Sequence, residues 1–229
     1  MPFAILSISN LQRKLLMLSV DDNPQKLIIL DRDGVINEDS ADYIKSVDEW
    51  LPIDESINAI VRLKRAGFKV AIATNQSGIG RGYYSESTLS AMHNKLADLL
   101  AAFDVAVDYI AYCPHLPSAH CACRKPKPGL LSKISEALSV DIHDAIMVGD
   151  SLRDLQAGMA LGCQPVLVLT GKGQATLEQL ESSDIKSDIT PSNIDVFDDL
   201  SEFVNHYLEI KKDKIKKDKI KKDKIKTDK

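Results

Sequence analysis

Hydrophobic positions between about residue 27 and residue 173 come in two alternating patterns. Leu27–Leu30 is a short aliphatic run that stops at Asp31, and Val70–Ala73 is a second that runs into Thr74 and Asn75. Between them Ile57, Ile60, Val61 and Leu63 recur at helical spacing and are closed by Gly67. The same spacing predicts a long helix over 85–102, with Leu89, Met92, Leu96, Leu99 and Phe103 facing inward. Further along it predicts a strand at Tyr109–Tyr112, a helix at Leu130–Leu138 and a strand at Ala145–Val148. A helix over Leu152–Leu161, ended by Gly162, and a strand at Val166–Leu169 complete the series. Aliphatic strands alternating with helices predict an α/β fold, a Rossmann-like parallel sheet with helices on both faces. No long insertion breaks the alternation, so no separate cap domain is expected.

The flanks read differently. Residues 1–23 form an N-terminal extension whose first basic residues, Arg13 and Lys14, follow its apolar stretch, the wrong order for an export signal. Met17 offers a second possible start. Residues 24–209 form the globular domain, and residues 210–229 a Lys-rich low-complexity tail. In the tail Ile210, Ile215, Ile220 and Ile225 recur every fifth residue; five residues advance a helix by about 500°, so they make no apolar stripe. The 11 lysines and 4 aspartates of residues 211–229 give +7, so the whole-chain charge of −4 leaves −11 on residues 1–210. An acidic body argues against a zinc-stabilised nucleic-acid-binding protein that uses the tail, the main non-enzyme alternative. No apolar run is long enough to span a membrane. The chain is expected to be a cytoplasmic monomer acting on a small molecule.

Polar residues gather where the predicted strands end, the place where ligands of parallel sheets bind. Asp31-Arg32-Asp33-Gly34 follows the first strand, and Thr74-Asn75 ends the second, followed by the Gly-rich stretch Ser77 to Gly82 with Arg81. Arg124-Lys125-Pro126 supplies two cations, and Gly149-Asp150-Ser151-Leu152-Arg153-Asp154 opens a helix. Each alone fits a turn or a helix cap. Together they supply carboxylates, a hydroxyl and a lysine, the parts that phosphoryl transfer needs, and a carboxylate cluster suits Mg²⁺.

A second cluster has the pattern Cys113-x-His115, then Cys121-x-Cys123. Three thiolates and an imidazole make a closed tetrahedral Zn²⁺ site with no open position for a catalytic water. His120 could take the place of His115, and unliganded thiols are the alternative. The last ligand adjoins Arg124 and Lys125, so the small zinc-binding loop would act on both cations indirectly. Cys163 is expected to be a buried small residue and His143 a surface residue.

With Asp31-x-Asp33-Gly34, Thr74-Asn75, Lys125-Pro126 and Gly149-Asp150-x-x-x-Asp154 in this order, the sequence resembles the haloacid dehalogenase superfamily of phosphatases over about Leu27 to Gly173. The resemblance implies Asp31 as nucleophile and Asp33 as the acid and then the base. It implies Mg²⁺ on the Asp31 carboxylate, the Asp33 carbonyl and Asp150, and a phosphoryl group held by Thr74 and Lys125. Asp154 would position Lys125 or a water. With its zinc loop, the chain is similar to the branch of heptose-bisphosphate and histidinol-phosphate phosphatases, and the heptose group is the better match. That implies removal of the 7-phosphate of a sugar bisphosphate on the way to the nucleotide-activated heptose of lipopolysaccharide. Asn75, Gln76 and Ser77 would then contact substrate, Arg124 and Arg81 the second phosphate, and Asp39 and Tyr43 the sugar hydroxyls.

Overall fold

A computed structural model describes residues 27–182 and 189–210. The N-terminal extension, the start-site question at Met17 and the Lys-rich tail from residue 211 lie outside the described residues.

Six parallel strands form one sheet: β1 (Leu27–Leu30), β2 (Lys69–Asn75), β3 (Tyr109–Cys113), β4 (Ile146–Gly149), β5 (Gln164–Val168) and β6 (Asp195–Phe197), in the spatial order β3-β2-β1-β4-β5-β6. Helices α1 (Asp54–Arg65), α2 (Ser77–Gly80), α3 (Glu86–Ala101), α4 (Gly129–Leu138), α5 (Leu152–Met159) and α6 (Gly173–Glu181) connect them, and a further helix covers 200–210. β1 shows why its pattern is an unbroken apolar run. Ile28 and Leu30 pack on one face with Ile57, Ile60, Leu89 and Met92, while Leu27 and Ile29 pack on the other with Leu130, Ile134 and Met147. A strand covered on both sides has no polar face to alternate with.

The register aligns the strand ends. Leu30 lies opposite Ile72 on one side and Val148 on the other, so Asp31, the end of β2 and Asp150 emerge at one edge of the sheet. The chain moves outward from β1 to β3 and then crosses to β4, so the β1–β4 junction is the switch point at which such sheets open a crevice. Among the described residues, no connection builds a separate cap layer, as expected.

Several elements differ from the sequence expectation. The Gly-rich stretch after β2 winds into the single turn α2, with the Gly80 N–H on the Pro114 carbonyl. α3 begins on Ser85, whose hydroxyl accepts the Thr88 N–H at 3.1 Å, and buries Leu100 at its inner end. Phe103 lies beyond the last helical turn and is exposed, because the chain has already left the helical path that places Leu100 four residues after Leu96. The three residues of β6 and the helix α6 were not predicted. Neither carries a long apolar pattern, and β6 is fixed by pairing with β5 instead. Cys163 is buried and His143 exposed, as the sequence suggests.

Candidate active site

The strand ends enclose a polar cavity of about 270 Å³. Asp31 stands at its floor. One carboxylate oxygen accepts the Arg32 N–H at 2.6 Å and meets the Lys125 ammonium at 3.0 Å. Lys125 is buried; its ammonium donates to the Ala73 carbonyl at 2.6 Å and forms ion pairs with Asp31 and with Asp154 Oδ1 at 2.6 Å. Burial alone would lower the Lys125 pKa, but the two carboxylates outweigh it and raise it, so the group is a fixed cation. Burial, reinforced by the Asp154 charge and opposed by Lys125, pushes Asp31 up to about 8. Asp150 is raised to about 6 by burial and by Asp154, against the Lys172 N–H that its Oδ2 accepts at 2.8 Å.

Asp150 is not a helix cap. Ser151 caps α5, where Asp154 Oδ2 accepts both the Ser151 N–H at 3.0 Å and its hydroxyl at 2.5 Å. Asp150 is free to face the cavity because two glycines cradle it. A Cβ on Gly34 would stand 2.1 Å from its Oδ2 and one on Gly171 2.3 Å, and both glycines have positive φ, +82° and +57°. Asp31, Asp150 and Asp154 bring carboxylate oxygens within 4.8 Å of one another. Asp154 has spent both oxygens on Lys125 and Ser151, which leaves Asp31 and Asp150 as the carboxylates suited to an oxygen-seeking cation.

Asp33 also lines the cavity, but its carboxylate turns to the buried Arg32. Oδ1 accepts Arg32 Nε at 2.9 Å, Arg32 Nη2 at 2.8 Å and Asn37 Nδ2 at 3.0 Å, and Oδ2 accepts Gln76 Nε2 at 2.8 Å. Burial would raise its pKa; Arg32, Asn37 and Gln76 outweigh burial and hold it below the usual carboxylate range. Arg32 is the functional neighbour that sequence reasoning missed. Its packing against Met92 comes from tertiary structure and leaves no local signal.

Thr74 and Ser77 line the cavity. Asn75 and Gln76 line it too, but their amides are committed to protein. Asn75 Oδ1 accepts the Lys125 N–H and Asn75 Nδ2 donates to the Lys125 carbonyl, each at 3.1 Å. Gln76 Nε2 also donates to Thr74 Oγ1 at 2.8 Å, and its carbonyl accepts the Tyr84 hydroxyl. Asp39 reaches the cavity rim in an ion pair with Lys172, and Tyr43 beside it has φ +68°. Arg124 lines the rim, whereas Arg81 does not. Its guanidinium lies 5.6 Å from the Tyr43 ring centroid, and Tyr83 meets the same ring edge-on at 5.2 Å. Arg81, which caps the turn α2, meets an aromatic face there instead of the cavity.

The cysteine loop converges as its spacing predicts. Five of the six separations among Cys113 Sγ, His115 Nδ1, Cys121 Sγ and Cys123 Sγ are 3.2–3.6 Å, and all four atoms lie within 4.8 Å of one another. A site with metal–sulfur bonds of about 2.3 Å needs edges of roughly 3.7 Å, so the donor set fits zinc. His120, in a left-handed conformation, is outside the cluster. No disulfide joins the four cysteines.

A model of the haloacid dehalogenase-like hydrolase family matches residues 10–162, more than half of the chain, and a related hydrolase model matches 122–203. The chain belongs to this family. Among curated relatives, this hydrolase is 51% identical to the D-glycero-beta-D-manno-heptose-1,7-bisphosphate 7-phosphatase of Pseudomonas aeruginosa, over 81% of this chain and 99% of that protein. The enzyme of the same name from Escherichia coli K12 is 42% identical, over 63% of this chain and 80% of that protein. The crystal structure of D,D-heptose 1,7-bisphosphate phosphatase from B. bronchiseptica, complexed with magnesium and phosphate, superposes with a TM-score of 0.74 at 46% identity. It covers 80% of this hydrolase and 98% of that chain. No helix among the described residues is long and apolar enough to cross a membrane.

Proposed function

We propose that this hydrolase removes the 7-phosphate of D-glycero-β-D-manno-heptose 1,7-bisphosphate through an aspartyl-phosphate. The observation that carries the reading is a partly buried Asp31 whose carboxylate meets a fixed Lys125 ammonium and lies beside the Asp150 carboxylate, in a chain half identical to such phosphatases along nearly their full length.

Asp31 attacks phosphorus, and the bond from phosphorus to the sugar oxygen breaks. Lys125 and the Thr74 hydroxyl hold the transferring oxygens. Asp33 gives its proton to the departing alkoxide, then removes one from the water that hydrolyses the acyl-phosphate, freeing phosphate and restoring Asp31. The Arg32 contact favours the ionised form of Asp33, which suits the second half-reaction; proton donation requires the side chain to leave Arg32 for the leaving oxygen. Asp31, Asp150 and the Asp33 carbonyl are the residues for Mg²⁺, which when bound would neutralise charge on the phosphoryl group and its carboxylate neighbours. Cys113, His115, Cys121 and Cys123 would hold a structural Zn²⁺. Cysteines clustered as metal ligands rather than paired in disulfides support a reducing compartment, the cytoplasm. A small sugar bisphosphate is then the partner and a monomer the working form.

A phosphate-release panel tests this reading. The heptose bisphosphate should be hydrolysed with higher kcat/KM than histidinol phosphate, and its β-anomer faster than its α-anomer. A preference for histidinol phosphate would move the chain to the alternative branch. Asp31→Asn should abolish release from every substrate, and retained turnover would refute the nucleophile assignment.

A further inference from the structure

The cavity has two ends of opposite character. Its floor holds Asp31, Asp150 and Asp154, while its rim carries Arg124, Arg153 and Lys172. Two neighbouring hollows, of about 350 and 310 Å³, open beside it. Lys172 lines the first of these as well as the main cavity, and Arg124 lines the second. Arg153 lines all three.

These cations are not equally satisfied. Lys172 is answered by Asp39. Arg124 makes one long hydrogen bond, from Nη1 to the His115 carbonyl at 3.4 Å, and has no carboxylate partner among the described residues. Arg153 is exposed, with no hydrogen bond or ion pair among the described residues. Its position is also unfavourable within the chain. It sits in the first turn of α5, where the helix dipole favours negative charge, and its own charge opposes that of Lys172. A cation placed against two other positive features, at the mouth of a substrate cleft, is relieved by a bound anion.

We propose that Arg153, together with Arg124, holds the phosphate of the substrate that does not react. The assignment rests on the bisphosphatase reading above. The acidic floor would repel a second phosphate, whereas Arg124 and Arg153 both line the main cavity and one of the hollows beside it, and a guanidinium is the side chain best suited to donate to phosphate oxygens. Arg153 thereby distinguishes a bisphosphate from a monophosphate while taking no part in the chemistry at Asp31.

Steady-state kinetics of Arg153→Gln and Arg153→Lys with Mg²⁺, on heptose 1,7-bisphosphate and on heptose 7-phosphate, tests this. The parent protein should prefer the bisphosphate. Arg153→Gln should cut the ratio of the two kcat/KM values roughly tenfold, mainly through KM for the bisphosphate, and Arg153→Lys should retain an intermediate ratio. An unchanged ratio, or equal loss on both substrates, overturns the assignment while leaving the bisphosphatase reading intact. A parent protein that hydrolyses neither sugar phosphate overturns both.

Discussion

Asn75 and Lys125 grip each other through both faces of one amide: the Asn75 side chain accepts the Lys125 N–H and donates to the Lys125 carbonyl, each at 3.1 Å. The end of β2 therefore fixes the backbone of the residue whose ammonium reaches Asp31. Asn75 acts on the chemistry through Lys125, since both polar atoms of its amide are held by the Lys125 backbone. Asn75→Ala should lower kcat by roughly tenfold to a hundredfold, the scale of one or two hydrogen bonds, with a much smaller change in KM. Asn75→Asp keeps an acceptor for the Lys125 N–H but sets an oxygen against the carbonyl, so it should be no better than Ala. An effect confined to KM would mean that the amide contacts substrate instead.

The cysteine loop fixes the same segment from its other side. Cys123 belongs to the four-residue donor cluster and is two residues before Lys125, while Lys127 donates to the His120 carbonyl at 2.7 Å. Metal analysis should find one zinc per chain. Chelation, or Cys123→Ser, should remove it and lower both the melting temperature and kcat, because ligand ordering and Lys125 placement share one loop. Cys163→Ser, at a buried thiol outside the cluster, should keep the zinc. A zinc-free protein with unchanged kinetics and unchanged melting would refute the coupling.

What the sequence displayed and what it hid follow from the range of each interaction. The sheet was legible because each central strand is a short aliphatic run ending in a polar residue, and Asp31, Thr74 and Asp150 were legible as those endings. The Cys113, His115, Cys121 and Cys123 cluster was legible because its spacing is local. Arg32 looked like any charged residue in a turn; its burial depends on Met92, far along the chain. Asn75 looked like a substrate contact because its true partner, Lys125, is 50 residues away. Arg81 was a candidate beside Arg124 because a bisphosphate needs a second anion site; the Gly-rich stretch before it folds into α2, and its guanidinium lies over the Tyr43 ring. Arg153 and Lys172 became visible only when α5 and α6 brought them to one rim.

His93 gives the fold an acid limit independent of the carboxylates. Burial, helped by the nearby Arg32 charge, lowers its pKa from 6.5 to about 4, and its buried Nε2 has no hydrogen-bond partner. The unfolded chain therefore binds a proton between those values that the native protein refuses. Stability from this group is present above pH 6.5 and is lost as pH falls through about 4. The contribution is on the order of 3 kcal/mol. His93→Phe should flatten that limb of the stability curve in denaturant titrations at stepped pH. A mutant curve parallel to the parent from pH 6.5 to about 4 would contradict the assignment.

The floor carboxylates give the opposite slope in metal-free protein. Asp31 is raised to about 8 and Asp150 to about 6, against 3.8 for the ordinary group. For raised acids the native state binds more protons than the unfolded chain. Their contribution is thus fullest below 3.8 and is lost as pH rises through about 6 and then about 8. A divalent cation on Asp31 and Asp150 replaces those protons, so it should stabilise the protein more as pH rises. Excess Mg²⁺ should therefore raise the melting temperature more at about pH 8 than at about pH 5.5, and calorimetric titration in buffers of different ionisation enthalpy should show proton release on binding. Asp31→Asn removes the group with the larger shift, so the metal-free variant should lose less stability on the alkaline side and gain less from Mg²⁺. Equal Mg²⁺ stabilisation at both pH values, with no proton release, would show that these two carboxylates are not the metal's ligands.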